Sequence, residues 1–186
     1  MNPTPRKLEI ITIASALFKD KGFSAVTMRD IAKAMGIKAA SLYNHIKNKE
    51  EILTFIIISL AEEFINGIDE IKEENNTCID KLKKIIALHV DIATRNTNGM
   101  ASLNNDWMNL KDQLDYYLTL RVNYEDTFRT IINEGIKKNE IKSINSDIML
   151  FSILSTLRSL YIWIPQKEDM NSSLLATNLS EVLLKG

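Results

Sequence analysis

The side chains able to do chemistry are few and unevenly placed. There are two histidines, His45 and His89, and one cysteine, Cys78. Catalysis needs acids, bases or nucleophiles held in groups, and no glycine-rich phosphate loop, nucleophile elbow or clustered metal-ligand spacing accompanies these three. Cys78 with His89 and Asp91 makes no credible metal set, and His89 on an apolar helix reads as a satisfied structural residue. One stretch is different. Between Thr27 and Leu53 (TMRDIAKAMGIKAASLYNHIKNKEEIL) the chain places Thr27, Arg29, Lys38, Ser41, Tyr43, Asn44, His45, Lys47 and Lys49 within a short span. Hydroxyls, an amide, an imidazole, a phenol and cations are the groups that hold phosphates and read base edges.

Those residues need two short helices and a tight turn to present them. Thr27 can cap a first helix by accepting from the Asp30 amide, with Asp30 reaching back in a capping-box spacing. Ile31, Ala32 and Met35 recur at helical spacing and face inward. Gly36 ends that helix, because glycine adopts positive φ without steric cost, and Ile37 plugs the turn. Lys38 to Asn44 form a second short helix with Leu42 inward. This is a helix-turn-helix, whose second helix enters the DNA major groove. Tyr43 could instead be core, but Leu42 and Ile46 already fill the inward positions; Lys47 reads as a solvated lysine.

The segment Ile11 to Leu53 resembles the DNA-binding domain of the TetR/AcrR family of bacterial transcriptional regulators. The matching pieces are AxxLFxxxGF (Ala14 to Phe23), TxRDIAxxxGI (Thr27 to Ile37) and SLYNHIKNKEEIL (Ser41 to Leu53), which together cover about a quarter of the chain. The resemblance implies backbone contacts from Thr27, Tyr43, His45 and Lys49. It places Arg29, Lys38, Ala39, Ala40, Ser41 and Asn44 on or beside the groove-facing surface. Arg29 and Lys38 could read guanine, Asn44 adenine, and Ala39 or Ala40 a thymine methyl. The recognition positions differ from those of the tetracycline repressor, so the operator sequence does not carry over.

The 186 residues suit one large or two small domains. Net charge is −1, yet residues 1–52 carry nine Lys and Arg against five Asp and Glu, and residues 53–186 carry fourteen against nineteen. A basic N-terminal piece on an acidic body suits a protein that grips phosphates at one end. The single cysteine fits a reducing cytoplasm. No signal peptide is read at the N-terminus, and Ile52 to Leu60 is too short to span a bilayer, so the expectation is a cytoplasmic protein with no membrane partner.

Along the chain, Pro3 and Pro5 argue against helix before Arg6, and Ile10, Ile13, Ala14, Leu17 and Phe18 mark one buried face up to Lys21. Further helices are expected at about 48–72, 77–94, 100–108, 110–138, 147–163 and 172–184, with a polar turn at Asn96 to Gly99. No stretch alternates as a strand does. The expected fold is all-α: an N-terminal three-helix DNA-binding domain (residues 1–50) and a six-helix ligand-binding and dimerisation domain (residues 51–186).

One helix-turn-helix makes too few contacts for specific binding, so a homodimer on a two-fold operator is expected. Ile148 to Ile164 is apolar nearly all round, with Ser152, Ser155, Thr156 and Ser159 along one strip. Leu175, Leu179, Val182 and Leu183 form a second stripe. The family resemblance implies a four-helix dimer interface from the last two helices of each subunit, and an inducer pocket between the middle helices that is coupled to DNA release. The C-terminal third, RVNYEDTFRTIINEGIKKNEI (Arg121 to Ile141) with LYIW (Leu160 to Trp163), is similar to repressors of fatty-acid and steroid breakdown, whose ligands are acyl-coenzyme A thioesters. That resemblance implies cations at Arg95, Arg121 and Arg158, and pocket walls at Trp107, Tyr117, Tyr124, Phe128 and Trp163. Ser159 stands where that branch has a second tryptophan. A multidrug sensor with methionines such as Met100 and Met108 around cationic compounds, the acids being Asp91 or Asp106, is the alternative among regulators. A ligand-independent DNA binder is a third. No enzyme activity and no cofactor are expected.

Overall fold

The computed structural model describes residues 3–167 and 171–185. Among them it is all-α, with no strand. The helices are α1 Pro5–Lys21, α2 Met28–Ala34, α3 Ala39–Tyr43, α4 Lys49–Glu73, α5 Cys78–Arg95, α6 Thr97–Asn105, α7 Leu114–Lys137, α8 Ser146–Arg158, α9 Leu160–Trp163 and α10 Ser172–Lys185. Contacts group them into two compact units. The first holds residues 1–60 and 98–117, and the second holds 61–97 and 118–186. The sequence divides most visibly near residue 50, but the first unit includes α6 and the turns after it.

In the first unit α1 begins earlier than the prolines suggest. Pro5 occupies the first helical position, where its missing N–H is no loss, and Thr4 accepts from the Lys7 amide. Ile10, Ile11, Ala14 and Phe18 are buried along its inner face. Gly22 (φ +80) ends the helix, and a 3-10 turn at Phe23–Ala25 sets Phe23 edge-on to Phe18, their ring centres 5.1 Å apart. The α2 N-terminus carries the full capping box: the Thr27 hydroxyl accepts from the Asp30 amide, and the Asp30 carboxylate accepts from the Thr27 amide at 2.9 Å. Its C-terminus is a Schellman turn. Gly36, at φ +67, donates to the Lys33 carbonyl and Ile37 to the Ala32 carbonyl. A Lys7–Glu51 ion pair (2.7 Å) ties α1 to the start of α4.

Two features of the first unit differ from the periodicity. Helix α6 starts at Thr97, directly after the α5 cap Asn96, so the expected polar turn at 96–99 is one residue long. Short 3-10 turns at Trp107–Asn109 and Lys111–Gln113 then delay α7 to Leu114, with Lys111 at φ +47. Hydrophobic spacing does not separate a 3-10 turn from an α-turn over three residues.

In the second unit α10 packs along α5, and α8 and α9 pack on α5 as well. Leu82, Ile85, Ile86, Val90, Phe128, Ile132, Ile153 and Leu157 form its core. Helix α7 ends with Asn139 at φ +57 in place of a glycine, and the amides of Glu140 and Ile141 return to the Gly135 carbonyl. The helix expected at 147–163 is interrupted at Ser159, whose hydroxyl bonds back to the Ser155 carbonyl.

Candidate nucleic-acid interface and small-molecule site

Helices α2 and α3 present one outward surface. Leu42 and Ile46 are fully buried, which fixes the roll of α3 and turns its other side out. Thr27, Arg29, Lys38, Ala40, Ser41, Tyr43, Asn44 and His45 are all exposed, and Ala39 is half-buried. Tyr43 exposes 54% of its surface, a high value for an aromatic that has an apolar core beside it. The bonds Thr27 makes to Asp30 hold that carboxyl below the usual carboxylate range, so the capping box keeps its charge at neutral pH.

Lys49 is placed differently from the other nine candidates. Its ammonium donates to the carbonyls of Phe23 (2.8 Å), Ser24 (3.3 Å) and Val26 (2.9 Å) and stands 4.4 Å from the centre of the Phe23 ring. An ammonium has three donors, and three carbonyls take them. Lys49 thereby holds the corner that precedes α2. Phe23 stands two residues after the end of α1, and nothing local in the sequence ties it to a lysine twenty-six residues on.

The residues expected around a ligand are only partly gathered. Tyr124 and Phe128 are buried in the second unit, ring centres 6.2 Å apart, with Phe64 and His89 against Tyr124. Arg158 and Arg121 both bond to the Glu125 carboxylate, at 2.6 and 3.2 Å. Burial alone would raise that carboxyl, but the two guanidiniums outweigh it and the net shift is downward. Arg95 lies on the surface, paired with Glu63 and Asp91. Trp163 is exposed and has the Lys167 ammonium near its ring. Trp107 and Tyr117 face each other at 5.8 Å within the first unit.

His89 is more than a satisfied core residue. It is buried, and its Nε2 lies 2.8 Å from the Tyr124 hydroxyl, while Nδ1 has no hydrogen-bond partner. Burial, with the Arg158 charge adding to it, lowers its pKa from 6.5 to about 3. Burial likewise pushes the Tyr124 phenol upward. Among the described residues no group of three or more His, Cys, Asp or Glu side chains could hold a metal ion.

The expected subunit-contact residues divide. Ser152 and Ser155 are exposed on α8, beside Ile148 (65%) and Phe151 (72%), with Thr156 half-buried and Ser159 exposed at the cap that follows the helix. On α10, Val182 is exposed and Leu179 and Leu183 are half-buried, but Leu175 is buried within the chain's own core. The segment Ser146–Gln166 has the length and apolar composition of a membrane span, and a third of its most apolar 18-residue window is buried in the fold.

Residues 10–54 match the family described as bacterial regulatory proteins, tetR family, and residues 75–186 match the tetracyclin repressor-like C-terminal domain. The chain belongs to the TetR family of bacterial regulatory proteins. The fatty acid metabolism regulator protein of Bacillus subtilis (strain 168) is 25% identical over 191 residues, covering 98% of this chain and 95% of that protein. The HTH-type transcriptional repressor KstR2 of Rhodococcus jostii (strain RHA1) is 24% identical over 140 residues, 74% of this chain and 69% of its own. The solved ketosteroid transcriptional regulator KstR2 of Mycobacterium tuberculosis superposes with a TM-score of 0.91 at 18% identity, covering 100% of this chain and 96% of that one. The TetR family regulator PfmR from Thermus thermophilus superposes with a TM-score of 0.83 at 22% identity, covering 95% and 97%. At these identities the structural likeness speaks for the fold. Membership makes the chain a helix-turn-helix DNA-binding transcriptional regulator of a family whose members are regulators and not enzymes.

Proposed function

We propose that this regulator is a cytoplasmic repressor that binds a two-fold operator as a homodimer, without catalysing a reaction, and leaves the DNA when a small apolar ligand binds its body. The observation that carries the DNA half is the exposed surface of α2 and α3, where Arg29, Lys38, Ser41, Tyr43, Asn44 and His45 stand out around the buried Leu42 and Ile46. Phosphates are held by Thr27, Tyr43 and His45. Base edges are read by Arg29, Lys38, Ala39, Ala40, Ser41 and Asn44. Lys49 acts on the same contact by holding the corner ahead of α2.

A second copy of the chain is the partner that suits the exposed apolar residues of α8, α9 and α10. Ile148, Phe151, Ile162, Leu174 and Val182 are each more than half exposed, around the small hydroxyls Ser152, Ser155 and Ser159. Apolar area of this kind is stabilised by burial, and small residues let helices approach closely. The same apolar length could face a lipid bilayer. Sedimentation without detergent separates the two, because a dimer stays in solution and a membrane protein does not.

The ligand reading rests on the aromatic and cationic groups of the second unit. Tyr124 and Phe128 supply an apolar interior. Arg121 and Arg158 bring two guanidiniums together at Glu125, close enough for the Arg158 charge to act on buried His89. An acyl-coenzyme A thioester fits that pairing of apolar and cationic groups. Binding of labelled operator DNA, with and without a long-chain acyl-coenzyme A, tests it: release at micromolar ligand supports the reading. Operator affinity indifferent to acyl thioesters and to cationic drugs alike would favour a ligand-independent DNA binder.

A further inference from the structure

His89 carries an unused hydrogen-bonding atom in the interior of the second unit. The side chain is 4% exposed on α5, with Phe64 of α4 at 4.5 Å between ring centres and Tyr124 of α7 at 5.8 Å. Phe128 backs Tyr124 from the next turn. The neutral ring has one N–H, and its position follows from the bond to Tyr124. If Nε2 carried the proton, the phenol hydrogen and the Nδ1 lone pair would both be left without partners. If the phenol donates to Nε2, only Nδ1–H is unmatched, which is the lower-cost arrangement. An N–H donor is thus left in the interior, without an acceptor.

We propose that this donor reads the ligand: Nδ1–H of His89 takes the carbonyl oxygen of an otherwise apolar molecule, a ketone, ester or thioester. The inference rests on the ligand-responsive reading above and names the atom that would recognise the ligand. An uncharged carbonyl is favoured over a carboxylate because the ring is neutral and buried, and a charge brought among Phe64, Tyr124 and Phe128 would lose its hydration. Tyr124 then acts as a positioning residue, fixing the tautomer from the far side of the ring. An acceptor placed at Nδ1 removes the unpaired-donor penalty, so a carbonyl ligand should bind about tenfold more tightly than a hydrocarbon of the same size.

The test is nitrogen-15 NMR of histidine-labelled protein, in which exposed His45 and buried His89 are distinguishable. The probes are a medium-chain methyl ketone, the methyl ester and thioester of similar length, and the 1-alkene of the same carbon count. The ketone is expected to move the His89 Nδ1 resonance and to bind about tenfold more tightly than the alkene, and His89→Phe to abolish that tenfold gap while alkene affinity stays. A ketone that binds without moving Nδ1, a gap that survives His89→Phe, or failure of all three carbonyl probes to bind overturns the proposal. DNA binding is measured on the same samples. DNA binding intact but indifferent to every probe counts against the ligand-responsive reading, whereas DNA release by a ligand that leaves Nδ1 unmoved counts against His89 alone. The wild-type resonance shift stands even where the variant folds poorly.

Discussion

The Lys49 ammonium donates to the Phe23 carbonyl at 2.8 Å and stands 4.4 Å from the centre of the same residue's ring. One side chain therefore holds both the backbone and the ring at the corner between α1 and α2, and the Val26 carbonyl extends the grip to the residue before the Thr27 cap. Replacing Lys49 with Met removes three hydrogen bonds and leaves carbonyls that water reaches only in part. A loss of roughly 1–2 kcal/mol is expected in urea unfolding, discounted for partial exposure. Lys49→Arg should recover part of it, because a guanidinium also donates, although its fork suits three converging carbonyls less well.

Lys38 offers the contrasting case. It is exposed and has no such intramolecular work, so Lys38→Ala should leave thermal unfolding unchanged. Its DNA affinity should fall by roughly 1–3 kcal/mol with a relaxed choice at the base pair it reads, the signature of a lost base-edge contact. Tyr43→Glu should remove DNA binding at physiological salt and leave the oligomeric state unaltered. Fluorescence anisotropy across a salt series checks both.

The capping box gives a local stability prediction. Thr27→Val keeps the size of the side chain and removes the oxygen that accepts from the Asp30 amide, costing about 1 kcal/mol. Asp30 titrates below its ordinary 3.8, so its contribution is present above that pH and is lost as pH falls through the lower folded value. In Thr27→Val this acid-side loss should shrink, as seen in unfolding midpoints between pH 5 and about 3.

His89 sets a second pH dependence with a different window. Its pKa is about 3 in the fold against 6.5 when unfolded, so the unfolded chain binds the extra proton first. Stability is complete above pH 6.5 and declines as pH falls toward 3, at up to about 1.4 kcal/mol per pH unit. His89→Phe should flatten that slope between pH 6 and about 4, checked by urea unfolding at stepped pH.

Phe151, 72% exposed on α8, is the residue whose charge substitution most directly tests the subunit contact. Phe151→Glu should weaken dimerisation at least about tenfold, the usual effect of removing a central aromatic anchor. Sedimentation velocity at micromolar protein reads the shift toward monomer. Leu175→Ala, by contrast, should lower stability by about 2–5 kcal/mol, because that leucine is buried in the chain's own core.

Local signals in the sequence carried the DNA-binding end of the fold almost completely. Thr27 with Asp30, Gly36 at positive φ, and inward Leu42 are decided within a few residues of one another, and each is where the spacing put it. What local signals could not supply were long-range partners. Lys49 reads as one more lysine until Phe23 and Val26 are brought beneath it. His89 reads as a core residue until Tyr124, thirty-five positions on, takes one ring nitrogen and leaves the other unpartnered. The turn at Asn96 is legible but shorter than its polar residues suggest, and the breaks at Lys111 and Ser159 do not show in the sequence for another reason: a single residue out of register changes the chain's path without disturbing the apolar period on either side. The charged residues Arg95 and Arg121 looked equivalent by type, yet Arg95 is tied to surface acids while Arg121 shares Glu125 with Arg158.

Selection of bound duplexes from a random DNA pool tests the central claim most directly. Enrichment of one sequence with two-fold symmetry, absent when the pool is presented to Tyr43→Glu, is the outcome this account predicts. A wild-type protein that enriches no sequence, or a Tyr43→Glu variant that enriches the same one, would contradict it.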